Sequence, residues 1–309
     1  MAIEGIVYKY VGQGGALAIL GNCSLRFAKP STMNDPFDVL VNDLFEKTFA
    51  DIAQETNESV IEQSIADPIG FSRFTGAPEK ETKQAAEHMA ALPSHFRKEF
   101  AKLFNFDLLK QQDAELAKIF EELEQQRLKQ IEEFRNTALF CATRTNDNLL
   151  MWAHYAEQHK GAVLGFKPDF ERDSFFGVMK DVRYTNERPK FYSSLKTIGP
   201  QKPQISLEEI SALRESHFYS KGVDWAYEKE LRLVIPGEIP DGKTEKFFKF
   251  YPHELSELIF GVKADNDFMK MAADAAKMLN SDVAIYHAEL HQDNYSLLMR
   301  PYDEQRPNP

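Results

Sequence analysis

The 309-residue chain carries 37 basic and 48 acidic side chains, which gives a formal net charge of −11. This negative balance repels phosphate backbones, so we expect no bulk binding of nucleic acid. Apolar residues make up 43% of the chain and aromatic residues 12%, which is enough for a substantial core and excludes a disordered chain. The length suggests one large domain or two small ones.

The cysteines and the N-terminal sequence indicate the cellular compartment of the protein. Cys23 and Cys141 fit neither a disulfide framework nor a CxxC metal pair, so we predict two buried thiols in a reducing compartment. The first residues lack the basic and apolar regions of a signal peptide. No apolar run approaches the roughly 18 residues that span a bilayer. A cytoplasmic protein without a membrane partner is expected.

The first 40 residues predict a strand, a short helix and a second strand. β-branched and aromatic residues favour strands at 6–11 and 24–28, and the helix lies between them at 16–20. A polar turn with two prolines, Pro30 and Pro36, follows the second strand. Such a turn holds its side chains rigidly.

Residues 39–134 predict a helical block. They are rich in Glu, Gln, Lys, Ala and Leu, and apolar residues at 116–134 follow helical spacing with a charged outer face. We interpret the block as an insertion packed on a sheet, with a lid or a partner-binding arm as the alternative.

The chain becomes rich in strands after Asn136. A buried strand at 137–142 precedes a helix at 149–156. Further strands are predicted at 162–166, 178–184, 230–235, 245–251, 258–260, 283–289 and 295–299, with helices at 207–218 and 264–279. Few regular βα alternations occur, so we predict an α+β fold: a mixed, mainly antiparallel sheet with a large helical insertion after the second strand. The predicted domains are a core at 1–40 and 136–302, an insertion at 41–135 and a disordered tail at 303–309.

Several common catalytic motifs are absent from the sequence. There is no Walker phosphate loop, Rossmann glycine fingerprint, HExxH zinc site or GxSxG elbow. The eight histidines are scattered, and none forms a ligand pair with a nearby cysteine. No metal is predicted.

The first candidate segment combines Tyr8-Lys9-Tyr10, Leu25-Arg26-Phe27 and Asn34-Asp35-Pro36-Phe37-Asp38. On a strand, Lys9 points away from its two tyrosine neighbours, so it is either solvated or directed into a polar cleft. The last stretch either caps a turn with Phe37 anchored in the core, or contacts a ligand. The candidate binding residues here are Lys9, Tyr10, Arg26, Asn34, Asp35 and Asp38.

The second segment, from Arg144 to Lys160, places aromatic and polar residues on a short apolar helix. A buried polar group needs a partner, so we expect His154 to be a hydrogen-bonded core histidine rather than a ligand contact. Tyr155 can present its ring to a ring-containing ligand. The candidates are Arg144, Trp152 and His154 for binding and Tyr155 for catalysis.

The third segment, from Lys221 to Arg232, enters a strand in which Glu228 and Glu230 share one face. Two carboxylates on one face repel each other unless a cation joins them. Arg232 continues that face, so one interpretation is an ion-pair ladder on a solvated strand. The other is a carboxylate that binds a ribose hydroxyl or stabilises an oxocarbenium-like transition state. The candidates are Glu228 and Glu230 for catalysis and Trp225 and Arg232 for binding.

These segments, taken in order, resemble a widespread bacterial family, the domain-of-unknown-function 2971 family. The resemblance is carried by the three N-terminal stretches, by Leu150-Met151-Trp152-Ala153-His154-Tyr155 with Lys160-Gly161 and Gly165-Phe166, and by Tyr227-Glu228-Lys229-Glu230-Leu231-Arg232. It covers most of the chain outside the helical block. It implies no settled activity.

A second similarity is to ADP-ribosyltransferase-like domains. These open with a strand bearing His-Tyr-Thr or Arg, continue with an aromatic or Ser-Thr-Ser strand, and end with Glu, often in Glu-x-Glu. Lys9-Tyr10 would take the opening position, Tyr155 the aromatic one and Glu228-Lys229-Glu230 the last. The resemblance implies a cleft that binds NAD as co-substrate, with Tyr155 stacked on nicotinamide and Glu230 steadying the ribosyl cation. The acceptor is unknown, and a role in toxin or phage-defence biology follows by analogy.

Two other functions are compatible with the same residues. In a non-catalytic module, the Asn34 stretch and the helix bearing Trp152 would recognise a ligand or a protein. A metal-dependent nuclease would use Asp35, Asp38, Glu228 and Glu230, and it requires these carboxylates to lie within metal-bridging distance.

Overall fold

A computed structural model describes residues 5–39, 57–58, 61–103, 118, 121, 125, 128–129, 131–188, 212 and 215–304. The chain divides into two compact units. The core unit comprises Met1–Leu40, Glu133–Pro189 and Arg214–Pro309, and the helical unit comprises Val41–Glu132 and Lys190–Leu213.

The core unit is built on a ten-stranded mixed sheet. Its strands run in the order β12-β11-β10-β4-β1-β3-β2-β9, and β8 and β5 branch from β3. The pairing is antiparallel except between β10 and β11, while β6 and β7 form a separate parallel pair. The strands are β1 (Val7–Val11), β2 (Ser24–Ala28), β3 (Ala138–Thr143), β4 (Ala162–Phe166), β5 (Lys180–Asp181), β6 (Arg183–Thr185), β7 (Ser220–Gly222), β8 (Glu230–Ile235), β9 (Glu245–Lys249), β10 (Leu255–Phe260), β11 (Ala284–Leu290) and β12 (Leu297–Pro301).

Six α-helices are described from their first to their last residue. They are α1 (Gln13–Asn22), α2 (Pro68–Thr75), α3 (Glu79–Ala91), α4 (Ser94–Leu103), α5 (Leu149–Tyr155) and α6 (Asn266–Leu279). Three of them, α2 to α4, follow β2 in sequence, which confirms the predicted α+β fold with a helical insertion after the second strand. Most of the predicted helices at 116–134 and 207–218, and residues 305–309 of the predicted tail, lie outside the described residues. No helix among the described residues is long and apolar enough to cross a membrane.

The main hydrophobic core lies between the sheet and the pair formed by α1 and α6. The sequence of α6 explains this packing, since its buried residues recur at helical spacing from Phe268 to Ala276. Asp265 caps the helix by accepting a hydrogen bond from the backbone N–H of Phe268 at 2.8 Å. An amphipathic helix with an N-terminal cap therefore covers one region of the sheet.

A second, smaller core lies around Trp152 of α5. Asn148 begins this helix by accepting from the backbone N–H groups of Leu150 and Met151. The indole of Trp152 is fully buried, donates to Asn146 O at 2.9 Å and meets the ring of Tyr10 edge to face. These contacts fix the helix whose last residue is Tyr155.

β9 ends at Lys249 and β10 begins at Leu255, whereas strands were predicted at 245–251 and 258–260. Two further differences have a cause in the local contacts of the chain. The strand predicted at 178–184 is instead a 3-10 turn at Phe175–Val178 followed by β5 and β6. The break occurs because the chain changes hydrogen-bond partner there: Val182 N donates to Glu230 O, whereas Arg183 N donates to Tyr219 O. The last strand begins at Leu297 rather than at 295 because the preceding residues form a solvent-exposed turn.

We predict that Gly161→Ala destabilises the fold, because the backbone of Gly161, immediately before β4, lies close to the backbone at the end of β1. A Cβ at this position would lie 2.2 Å from Val11 O and 2.9 Å from Gly12 Cα, so backbone would have to move. The expected loss in the free energy of unfolding is about 1–3 kcal/mol. Gly14→Ala is the matched control, because a Cβ there meets no atom within 4 Å and α1 gains a better helix former. Urea unfolding of both variants tests this, and equal effects would contradict it.

Candidate functional site

A cavity of about 590 Å³ opens in the core unit, bordered by β1, β2, β3, α5 and the segment that leads into β8. Its volume lies within the roughly 300–1,000 Å³ of small-molecule sites. All three sequence segments contribute to it. The predicted site residues that line it are Lys9, Tyr10, Arg26, Asn34, Asp38, Tyr155, Glu228 and Glu230.

Arg232 is a fully buried arginine that joins two of the segments. Its Nη1 and Nη2 donate to the two carboxylate oxygens of Asp38 at 2.8 and 2.6 Å. Its Nε and Nη2 donate to Glu230 Oε1 and Oε2 at 2.5 and 3.0 Å. The predicted ion pairs are present, but the prediction that they are solvated was wrong. β8 lies between β3 and β5, and its first residues are buried.

Lys221, at the centre of β7, completes this cluster. Its Nζ donates to Glu228 Oε2 at 2.6 Å and to Glu230 Oε2 at 3.0 Å, and it lies 3.8 Å from Asp38 Oδ2. We call Asp38, Lys221, Glu228, Glu230 and Arg232 the buried ion cluster. It sets three carboxylates against two cations, so it carries one excess negative charge when all five groups are ionised.

The two glutamates of the buried ion cluster differ in their pKa values. Burial alone would raise the pKa of Glu230, but Arg232 and Lys221 lower it from 4.5 to about 2. Burial raises the pKa of Glu228, against the opposing effects of Lys221 and the Tyr155 hydroxyl. Glu230 is therefore a fixed anion, whereas Glu228 is the carboxylate with the more adjustable protonation state.

Glu228 reaches the cavity through an unusual backbone arrangement. It ends a 3-10 helix at Val223–Glu228, and Lys229 then adopts a left-handed conformation at φ 43° before β8 begins. The prediction that Glu228 and Glu230 lie in one strand was therefore wrong, although Lys221 still brings their carboxylates together. Thr143 holds the turn by donating from Oγ1 to Glu228 O at 2.5 Å.

Tyr155 and Asn34 form a polar chain with Glu228 on the cavity wall. The Tyr155 hydroxyl donates to Glu228 Oε1 at 2.5 Å and accepts from Asn34 Nδ2 at 2.9 Å. Burial, followed by the bond to Glu228, raises the pKa of Tyr155, so this hydroxyl stays protonated. A neutral hydroxyl and a carboxylate are thus in hydrogen-bond contact in the lining of the cavity.

Lys9 is half-buried and directed into the cavity rather than into bulk solvent. Its Nζ donates to Cys141 O at 2.6 Å and lies 5.2 Å from the centroid of the Phe140 ring. Burial lowers the pKa of Lys9. The solvated position, which the segment taken alone favours, does not describe this side chain, because Lys9 lines the cavity.

The remaining wall of the cavity is mainly apolar and aromatic. Tyr8, Tyr10 and Phe247 supply rings, and aliphatic side chains of β2 and α1 lie between them. Burial raises the pKa of both tyrosines, which keeps their hydroxyl groups neutral. The lining therefore offers aromatic rings to a flat ring and polar groups to a hydroxyl or a cation.

Several predicted residues of the second segment lie outside the cavity lining. Arg144 is exposed and makes a bidentate pair with Asp181 at 2.8 and 3.0 Å. Trp152 is a core residue. The prediction of a core histidine at His154 was wrong, since α5 buries Met151 and Trp152 but turns position 154 to solvent.

Three residues near the other segments also have roles different from a cavity lining. Asp35 is buried and accepts from the backbone N–H of Phe37, which closes the turn after β2. Phe37 is 67% exposed, so the predicted anchoring of this residue in the core was wrong. Trp225 lies beside the buried ion cluster, with its ring centroid 4.8 Å from Lys221 Nζ.

Sequence reasoning missed Lys221 and Tyr8 as site residues. A signal for Lys221 was present, since two carboxylates predicted to share a face require a nearby cation. Tyr8 alternates with Lys9 along β1 and was expected on the opposite face, yet both line the cavity. The cavity wraps around the strand, a feature that alternation alone does not predict.

The acidic residues of the site are not arranged as metal ligands. Three of the four carboxylates that a nuclease would need, those of Asp38, Glu228 and Glu230, converge on Lys221 and Arg232. Within the described residues, no group of three His, Cys, Asp or Glu side chains is placed to hold a metal ion. The geometry gives the nuclease alternative no support.

We predict that Arg232→Met strongly destabilises the core unit, because it leaves the carboxylates of Asp38 and Glu230 buried without their partner. The expected loss in the free energy of unfolding is about 3–5 kcal/mol. Arg26→Met is the control: Arg26 pairs with Glu245 at 3.1 Å on the surface, and its loss should cost at most about 1 kcal/mol. Chemical denaturation measures both, and a small, equal loss would show that the cluster contributes little to folding.

We predict that the contribution of Glu230 to the free energy of unfolding decreases in acid. Its folded-state pKa lies below 4.5, so its ion pairs stabilise the fold above about pH 4.5, and this stabilisation is lost as the pH falls towards 2. The difference in unfolding free energy between the unmodified protein and Glu230→Gln should therefore narrow over that range. Denaturation at a series of pH values tests it. A difference that stays constant down to pH 2 would contradict the assigned pKa.

Comparison with known proteins gives one match. Residues 151–233 match a family model described as Protein of unknown function (DUF2971). This stretch includes Tyr155, Lys221, Glu228, Glu230 and Arg232, so it covers α5 and most of the buried ion cluster. Searches of curated proteins and of solved structures returned no match. The match supports the predicted resemblance to that family over about the middle quarter of the chain, from α5 into β8.

Proposed function

We propose that the core unit is a nucleotide-binding enzyme of the ADP-ribosyltransferase type, which takes NAD as co-substrate and transfers its ADP-ribosyl group to an acceptor that is unknown. The observation that carries the proposal is the convergence of three separated segments on one cavity, where Tyr10, Tyr155 and Glu228 meet. A toxin or phage-defence role belongs to this proposal by analogy alone.

The aromatic wall supports binding of a nucleotide ring. Tyr8, Tyr10 and Tyr155 all line the cavity. In NAD the nicotinamide ring is a pyridinium cation, and cations are attracted to the faces of aromatic rings. The apolar wall supplies the contacts that a flat ring needs.

The charge of the buried ion cluster supports the chemical step. Cleavage of the bond between nicotinamide and ribose leaves positive charge on the ribosyl carbon, and a carboxylate beside that carbon stabilises the transition state. Two cations hold Glu230 through both of its oxygens. Glu228 has one oxygen on Lys221 and the other on the neutral hydroxyl of Tyr155, so a single cation holds it. We therefore assign the cation-stabilising role to Glu228 and a positioning role to Glu230.

The proposed transfer breaks one bond to the ribosyl carbon, forms another and releases one proton. The C–N bond between ribose and nicotinamide breaks, and its electron pair leaves with nicotinamide as a neutral molecule. The acceptor's nucleophilic atom then bonds to the ribosyl carbon and releases a proton. Glu228, with its raised pKa, is the base placed to receive that proton.

The alternative is a non-catalytic module that binds a ligand in the same cavity. It requires the aromatic wall and the Asn34–Tyr155 pair but no turnover. Binding without nicotinamide release would favour it over the enzyme.

We predict that the full chain releases nicotinamide from NAD and that Glu228→Gln lowers the rate by about 100-fold or more, since loss of a positioned acid–base group costs roughly 10²–10⁴ in rate. Nicotinamide release is measured by chromatography, with protein and nucleic-acid acceptors supplied. Glu238→Gln is the matched control, because Glu238 forms a surface pair with Lys246 and does not line the cavity. No release with any acceptor, or equal rates for both variants, would refute the assignment.

A further inference from the structure

The cavity enters the sheet where β1, β3 and β2 separate. These strands are neighbours in that order, and every residue of the three is described. Within them, Tyr8 and Thr143 alone pair β1 with β3, and Ala28 and Leu139 alone pair β2 with β3. On each strand, successive residues point to opposite faces, yet both kinds line the cavity. A ligand can therefore reach into the gap between the strands.

Two cations line the cavity at these strands, Lys9 on β1 and Arg26 on β2. Lys9 Nζ donates to Cys141 O at 2.6 Å and lies 5.2 Å from the centroid of the Phe140 ring, which are the contacts of an ammonium ion. An ammonium ion has three donors, and this hydrogen bond uses one of them. Arg26 Nη1 donates to Glu245 at 3.1 Å, the hydrogen bond that its side chain makes among the described residues. Both cations therefore have further N–H groups to offer.

We propose that Lys9 and Arg26 bind the phosphate groups of the nucleotide, and that the cavity therefore selects a phosphorylated substrate over the corresponding nucleoside. This inference rests on the proposed function for the identity of the nucleotide, whereas the binding of phosphate is measurable without turnover. The observation that carries it is a pair of cations with remaining donors in one cavity lining.

The carboxylates near this pair leave it available to a phosphate. Of the described carboxylates, that of Glu245 alone lies within 4 Å of a side-chain nitrogen of Lys9 or Arg26. The side chain of Arg26 is 61% exposed, and exposed ion pairs contribute little. A phosphate can accept two parallel hydrogen bonds from a guanidinium, which is a stronger arrangement. A phosphate therefore competes well with Glu245 for Arg26.

Lys9 lies within electrostatic range of both Arg26 and the buried ion cluster. Burial lowers the pKa of Lys9, and Arg26 acts in the same direction. Cys141, Glu230 and Glu228 act in the opposite direction. In NAD, one phosphate is attached to the ribose that carries nicotinamide, so a phosphate at Lys9 would direct that ribose towards Glu228. The phosphate site thus agrees with the position proposed for the ribosyl carbon.

The test measures ligand binding to the full chain by isothermal titration calorimetry. Nicotinamide mononucleotide and nicotinamide riboside differ by one phosphate group. The mononucleotide should bind about tenfold more tightly or better, since one hydrogen bond between charged groups is sufficient for that factor. Its affinity should also fall with rising salt concentration, whereas that of the riboside should change less. Equal affinities for the two ligands would overturn the proposal.

Single substitutions assign the effect to the two cations. Lys9→Met and Arg26→Met should each weaken binding of the mononucleotide about tenfold and leave binding of the riboside unchanged. Lys9→Arg retains the cation and should keep most of the affinity. Lys246→Met is the matched control, because Lys246 Nζ lies 5.1 Å from the centroid of the Phe248 ring but does not line the cavity. Arg26→Met, a change at the surface, decides the matter even where Lys9→Met fails to fold.

The remaining outcomes separate this proposal from the proposed function. Weaker binding of the mononucleotide in both variants, without nicotinamide release from NAD by the unmodified protein, would support the phosphate site and refute the ADP-ribosyl function. Nicotinamide release with the same KM for NAD in both variants would support that function and overturn the phosphate site. Equal weakening by Lys246→Met would likewise overturn it, because net charge rather than a site would then explain binding.

Discussion

The guanidinium of Arg232 is the constraint on which the rest of the site depends. It is fully buried and binds two carboxylates, one from the turn after β2 and one from the start of β8. Removing such a charge from water is costly, and only near-complete pairing offsets that cost. Asp38 and Glu230 are thereby fixed in position although 192 residues separate them in sequence. This pairing therefore positions two of the carboxylates that line the cavity.

The same pairing divides the roles of the two glutamates. Both oxygens of Glu230 are occupied by cations, which leaves this residue to anchor the wall. Lys221 binds one oxygen of Glu228, and the Tyr155 hydroxyl in the cavity lining binds the other. The excess negative charge of the buried ion cluster therefore lies next to the cavity at Glu228. Glu230 is held as an anion, and Lys221 links it to Glu228. Glu228 is thereby fixed in position while its protonation state can still change. The pocket therefore couples a structural ion pair to a surface suited to chemistry.

Local patterns predicted the strands and helices well because strand and helix periodicity are properties of short stretches. The strand at Glu230 and the helix that ends in Tyr155 were found in this way. Contacts over long sequence distances were not predictable in the same manner. The burial of Arg232 and the pairing of Lys221 depend on how strands are ordered in the sheet, which periodicity does not encode. Exposure of His154 likewise depends on which side of this seven-residue helix meets the core.

The central claim is that a nucleotide occupies this cavity with its ribose against Glu228. The most direct measurement is a crystal structure of the Glu228→Gln variant grown with NAD, since this variant keeps the size of the side chain while slowing turnover. We expect the nicotinamide ring against the tyrosines of β1 and a ribose hydroxyl within hydrogen-bond distance of residue 228. NAD bound elsewhere on the core unit, or a cavity that holds only water at saturating NAD, would contradict it.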